Sequence, residues 1–109
     1  MDYGYGKRPD GTNKGKGFFG EIKMPDGSVA TEISVGVNFD GKETLIPLIV
    51  PGLTKGELAY LTNPTNFKNK YPDMPGSIMQ KATKHAIERL NAGKSAFAEE
   101  GEIYNLPTE

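Results

Sequence analysis

The sequence predicts an α+β fold from three observations: repeated Asp-Gly steps, one long alternating segment, and a switch to helical periodicity beyond Thr54. Asp-Gly readily adopts the positive φ angles of tight hairpin turns, and it occurs at Asp10-Gly11, Asp26-Gly27 and Asp40-Gly41. Between the second and third steps, Val29, Thr31, Ile33, Val35, Val37 and Phe39 alternate with Ala30, Glu32, Ser34, Gly36 and Asn38. A period of two marks a strand with one buried face. The expected architecture is a three-stranded antiparallel β-meander packed against one short and one long α-helix. An extended N-terminal arm and a C-terminal tail flank it.

Residues 1–17 form the arm, rich in glycine and carrying Lys7, Arg8, Lys14 and Lys16. Glycine raises the entropic cost of ordering, so in isolation this segment is expected to be a flexible lead-in with one turn at Pro9-Asp10-Gly11-Thr12. The α+β domain spans 18–94, with strands expected over 18–23, 28–39 and 42–50. Thr54 and Glu57 have the spacing of a capping box, which starts a helix over 54–62 that Asn63-Pro64 ends. The linker 65–74 reads as an ordered loop because Phe67 and Tyr71 need cover. A second helix is expected over 76–92, closed by Gly93, with Ile78, Met79, Ala82, Ala86 and Leu90 as the stripe facing the sheet. Residues 95–109 are an acidic tail whose Phe97, Ile103, Tyr104 and Leu106 can dock back or dock elsewhere.

The length of 109 residues suits one domain with a single core, and the absence of cysteine excludes disulfides, thiolate nucleophiles and cysteine zinc sites. The longest apolar run, Leu45 to Val50, falls far short of the roughly 20 residues of a membrane span. The start of the chain lacks the basic and apolar segments of a secretory signal, which predicts an intracellular protein. The net charge of −1 hides a basic middle and an acidic tail. That split reads as solvated surface charge, and a nucleic-acid partner is not expected, because phosphate binding needs a larger basic excess.

Chemistry is sparse. Gly93-Lys94-Ser95 is not a phosphate-binding P-loop, because the position five before Gly93 is Glu88 and the triplet follows a helix. His85 is the only histidine, and no spacing supplies it with triad partners. Neighbouring Glu99 and Glu100 sit in a tail, where they cannot face each other across a cleft. No catalytic residue, metal site or cofactor is expected.

Two constellations remain. Lys81, His85 and Arg89, spaced by four, form a cationic stripe on the long helix, over which Lys7, Arg8, Lys14 and Lys16 of the arm can fold. Such a cluster suits a small anionic ligand or an acidic partner, although a charged helix flank is also ordinary surface. The second is the ribbon Leu45-Ile46-Pro47-Leu48-Ile49-Val50, apolar on both faces yet carrying a proline that confines it to a sheet edge. Its second face needs cover, from the tail, from the linker aromatics or from another protein. With Leu45, Ile46, Leu48 and Ile49, the tail residues Phe97, Ile103 and Tyr104 are the candidate protein interface.

The order of short motifs along the chain resembles a small domain of tailed-bacteriophage proteins, found both alone and inside larger ones. The resemblance is carried over roughly residues 8–98 by Arg8-Pro9-Asp10-Gly11-Thr12 with Lys14-Gly15, Gly17-Phe18-Phe19-Gly20, Thr31-Glu32-Ile33-Ser34-Val35-Gly36-Val37, Gly41-Lys42-Glu43, His85-Ala86 and Gly93-Lys94-Ser95. Where the family form often reads Pro-Thr-Leu-Val-Pro-Thr-Leu-Thr, this chain has Pro47-Leu48-Ile49-Val50-Pro51-Gly52-Leu53-Thr54. The resemblance implies a phage origin and synthesis in the bacterial cytoplasm, and transfers no site residue. It leaves two expectations: a structural or accessory virion protein that contacts other phage proteins or its own copies, or a host-directed binder of a host protein or a small anionic ligand.

Overall fold

Asp40 and Gly41, with φ of +53° and +82°, form the two-residue turn that matches the twist of a hairpin. Around them β3 (Ser34–Phe39) pairs antiparallel with β4 (Lys42–Pro47), Phe39 lying opposite Lys42 and Ser34 opposite Pro47. The Asp26-Gly27 step turns a much shorter hairpin of β1 (Ile22–Lys23) and β2 (Val29–Ala30), closed by the Met24 N–H donating to the Ser28 carbonyl at 2.8 Å. The computed structural model describes residues 4–99 and 101–107; Met1, Asp2 and Tyr3 of the arm and Glu100, Thr108 and Glu109 of the tail lie outside the described residues.

The class is α+β, but the expected meander is corrected to two two-stranded sheets. The strand expected over 28–39 breaks at Thr31, Glu32 and Ile33, three consecutive buried residues where alternation fails. Two contacts with the arm cause the break. The Glu32 carboxylate turns inward to Arg8, and Gly17 presses so closely on the Thr31 carbonyl that a Cβ there would lie 1.9 Å from its oxygen. The first strand shrinks to two residues because Phe18 and Phe19 are both buried instead of alternating. The third stops at Pro47, which has no N–H to donate, although the Leu48 N–H still reaches the Ile33 carbonyl at 2.7 Å.

α1 (Lys55–Thr62) starts as expected: the Thr54 hydroxyl accepts from the Glu57 N–H at 3.1 Å and the Glu57 carboxylate accepts from the Thr54 N–H at 2.8 Å. The linker contains a further short helix, α2 (Pro64–Lys68), capped by the Asn63 side chain with proline at its first position. α3 (Gly76–Asn91) ends at Gly93, whose φ of +78° lets the Lys94 N–H reach the Arg89 carbonyl and its own N–H reach Leu90, the Schellman pattern. Among the described residues no helix is long and apolar enough to cross a membrane.

The core lies between α3, α1 and the apolar ribbon. Ile78, Ala82 and Ala86 of α3 are fully buried against a cluster holding Phe18, Ile46, Leu48, Ile49 and Leu61. The next position of that stripe is Arg89, also buried, so the expected stripe is corrected at its end: Leu90 is 41% exposed and Met79 only half-buried.

Candidate functional site

The arm is fastened at one buried carboxylate. Glu32 accepts from Arg8 Nε at 2.8 Å and Arg8 Nη2 at 2.7 Å, and from the Gly15 N–H at 2.8 Å. The Arg8 guanidinium carbon also lies over the Phe97 ring, 4.0 Å from its centre. A planar guanidinium can satisfy both faces and edges in this way, whereas an ammonium cannot.

The tail is fastened by Arg89. Its guanidinium donates to the carbonyls of Ser95 and Phe97 and bidentately to Glu102, at 2.9 and 2.7 Å. Beyond Glu102, the Tyr104 N–H donates to the Phe18 carbonyl at 2.7 Å. The hydrogen bonds from Arg89 hold the Glu102 carboxyl down to about 2 and push Arg89 itself up.

These contacts place the expected cationic stripe differently from a ligand site. Lys81 is bound to Glu57 at 2.6 Å; burial opposes ionisation of that carboxyl, yet Lys81, Ser77 and the Thr54 N–H together hold it at about 2. His85 stacks edge-on against Phe18 at 4.9 Å, with its Nδ1 buried and unpartnered among the described residues, and burial, then Arg89, pushes its pKa down. Lys81, Arg89 and Arg8 are each neutralised by a carboxylate of this chain, and the arm lies across Glu32 and Phe97. Of the other arm cations, Lys7 donates to Asn13 at 2.9 Å, Lys16 is exposed, and Lys14 lines a groove.

The apolar ribbon finds its cover within the chain. Ile46, Leu48 and Ile49 are at most 1% exposed and Leu45 is half-buried, with Phe97 in the same cluster. Burying such side chains contributes about 1.5–3 kcal/mol each. The ribbon therefore supports the core, and the tail residues Ile103 and Tyr104 are the members of that set left about half exposed.

Two features escaped the sequence reading. The first is a pair of adjoining grooves, about 540 and 600 Å³, that share Lys14, Glu32 and Phe67. One wall is the segment 31–35, the break at Thr31, Glu32 and Ile33 with the start of β3; the other is α2 with the linker, where Lys70 and Tyr71 hold left-handed φ of +59° and +57°. Residues with a Cβ enter that region at a cost of about 1–2 kcal/mol each. The Tyr71 hydroxyl donating to Leu61 and the Tyr60 hydroxyl donating to Pro72 hold the linker in place. Strained backbone leaves no periodic signal, so the expectation of an ordered linker around Phe67 and Tyr71 is the part of this wall the sequence shows.

The second is the outward face of α3. Met79, Thr83, Ile87 and Leu90 follow helical spacing, and a cleft links Ile87 and Leu90 to Phe39 at the β3–β4 turn. Ile87 and Leu90 are each 41% exposed. Among the described residues no group of three or more acidic, histidine or cysteine side chains could hold a metal ion. Compared with protein families, curated proteins and solved structures, the chain finds no match.

Proposed function

We propose that this chain is a non-enzymatic bacteriophage protein, a structural or accessory component of the virion, made in the bacterial cytoplasm and working through contacts with other proteins, its own copies first. The observation that carries this reading is the apolar strip of Met79, Ile87 and Leu90 on α3, continuous with Phe39. Exposed apolar surface of this kind on a small domain is a mark of contact with another protein. Its charges fit a second copy. Lys84 and Glu88 lie one turn apart beside the strip, so two α3 helices crossing antiparallel about a two-fold axis set each Lys84 against the other copy's Glu88. Catalysis is disfavoured because Glu32, Glu57 and Glu102 are each paired with a cation of this chain and His85 packs on a ring.

Light scattering over a concentration series tests the contact: mass should rise toward a dimer, and Ile87→Asp should return it to monomer. A wild-type chain that stays monomeric at high concentration removes this contact. Mass spectrometry of purified particles tests the location, with stoichiometric copies expected and absence removing the virion role. The second reading, a host-directed binder of a small anion, is favoured by one observation: Lys14, Lys68 and Lys70 border a groove without a carboxylate partner among the described residues.

A further inference from the structure

We propose that the double groove beside Phe67 binds a small organic anion carrying a planar ring, of which a nucleoside monophosphate is the simplest representative. The inference rests on the second reading above and gives it a site lined by residues other than those of the α3 stripe.

Charge comes first. The cations Arg8, Lys81 and Arg89 are all satisfied by carboxylates of the chain, whereas Lys14, Lys68 and Lys70 converge on the groove without one among the described residues. Of the two carboxylates in the walls, Glu32 is neutralised by Arg8, whereas Asp26, which accepts the Ser28 N–H and hydroxyl within its own turn, keeps its charge, so three lysines stand against one unpaired carboxylate. The groove therefore carries an excess of positive charge, and an anion entering it meets lysines that lose no ion pair with the described residues.

Polarity comes second. Thr31 is 3% exposed, lines the groove, and its hydroxyl has no hydrogen-bond partner among the described residues. Buried hydroxyls are nearly always partnered, so this one, enclosed within the wall, is an unmet polar group that a small shift of the wall would present to a ligand oxygen. Shape is the third point. Phe67 is 49% exposed at the ridge shared by both grooves, and Ile33, Val35, Leu48 and Met74 give the second an apolar floor. A ring can stack on Phe67 while its anionic end reaches Lys14 and Lys68. The volumes fall in the range of about 300–1,000 Å³ typical of small-molecule sites. A strained Lys70-Tyr71 backbone along the wall is the kind of feature that accompanies ligand contacts.

The test titrates the full chain with adenosine monophosphate, adenosine and inorganic phosphate, read by backbone amide shifts and calorimetry. Saturable binding of the monophosphate is expected, tighter than either half alone, weakening with salt, and shifting Thr31, Phe67 and Lys70. Lys14→Ala with Lys68→Ala, and separately Phe67→Ala, should each weaken it at least tenfold, Thr31→Val severalfold, and Lys81→Ala not at all. These positions other than Thr31 reach the surface, and each variant's melting curve checks that it folds. No saturable response to any of the three probes at millimolar concentration overturns the proposal, as does unchanged affinity in the double lysine variant. A response to an oligoglutamate peptide without one to the monophosphate also overturns it, in favour of a peptide site. Self-association measured on the same variants is expected to persist, which separates this outcome from failure of the contact proposed for α3.

Discussion

Arg8 and Glu32, 24 positions apart, form a bidentate pair at 2.8 and 2.7 Å with side chains only 15% and 2% exposed. A pair this deep is unlike surface ion pairs, because removing either member strands a charge away from water. Arg8→Ala is expected to lower the free energy of unfolding by about 3 kcal/mol or more, measured by urea denaturation. Replacing both residues with apolar ones of similar size should recover much of that loss. A loss below about 0.5 kcal/mol in the single variant, the level of an ordinary surface change, would show that the arm does not depend on this pair.

Gly17 and Gly20 share nearly the same left-handed φ, +70° and +71°, but not the same surroundings. A Cβ at Gly20 meets open space, whereas at Gly17 it would sit 1.9 Å from the Thr31 oxygen. Gly20→Ala should therefore cost only the conformational term of about 1–2 kcal/mol, and Gly17→Ala clearly more. Equal melting temperatures for the two variants would mean that the arm is not pressed against the Thr31 backbone.

What the sequence revealed, and what it hid, follows from the range of the interactions. The Asp-Gly turns, the Thr54–Glu57 capping box and the Gly93 terminus were legible because each is satisfied within a few residues. The broken strand was not: Glu32 occupies an outward position in the alternation, and Arg8 and the Gly15 N–H, far away in sequence, turn it inward. The same reason hid the partners of the cationic stripe. Lys81, His85 and Arg89 do share a flank of α3, but Glu57 and Glu102 come from other elements to neutralise Lys81 and Arg89.

Ile49 and Ile87 separate the core from the contact surface. Ile49 is 1% exposed, so Ile49→Asp places a charge in apolar surroundings and should cost more than about 2 kcal/mol. Ile87 is 41% exposed, and Ile87→Asp should leave monomer stability within about 0.5 kcal/mol while abolishing association. Thermal melts with light scattering on both variants decide the matter. A large loss of monomer stability in Ile87→Asp would place that side chain in the core and withdraw the strip as a contact surface.

The Arg89–Glu102 clamp predicts how the tail responds to acid. The Glu102 carboxyl is held at about 2 against an ordinary 4.5, its largest cause being the hydrogen bonds from Arg89. A depressed carboxyl stabilises the folded state fully above its unfolded value, because the unfolded chain binds the proton first; the contribution fades below pH 4.5 and is lost as pH falls through about 2. Glu57 titrates over the same window, so wild type alone cannot isolate the clamp. The difference between wild type and Glu102→Gln can: the variant should be less stable at neutral pH and lose less on acidification. Hydrogen exchange at the Tyr104 amide, which donates to Phe18, should accelerate in the variant at neutral pH and in wild type only at acid pH. Parallel acid curves with equal Tyr104 protection would show that Arg89 holds the tail through the Ser95 and Phe97 carbonyls alone.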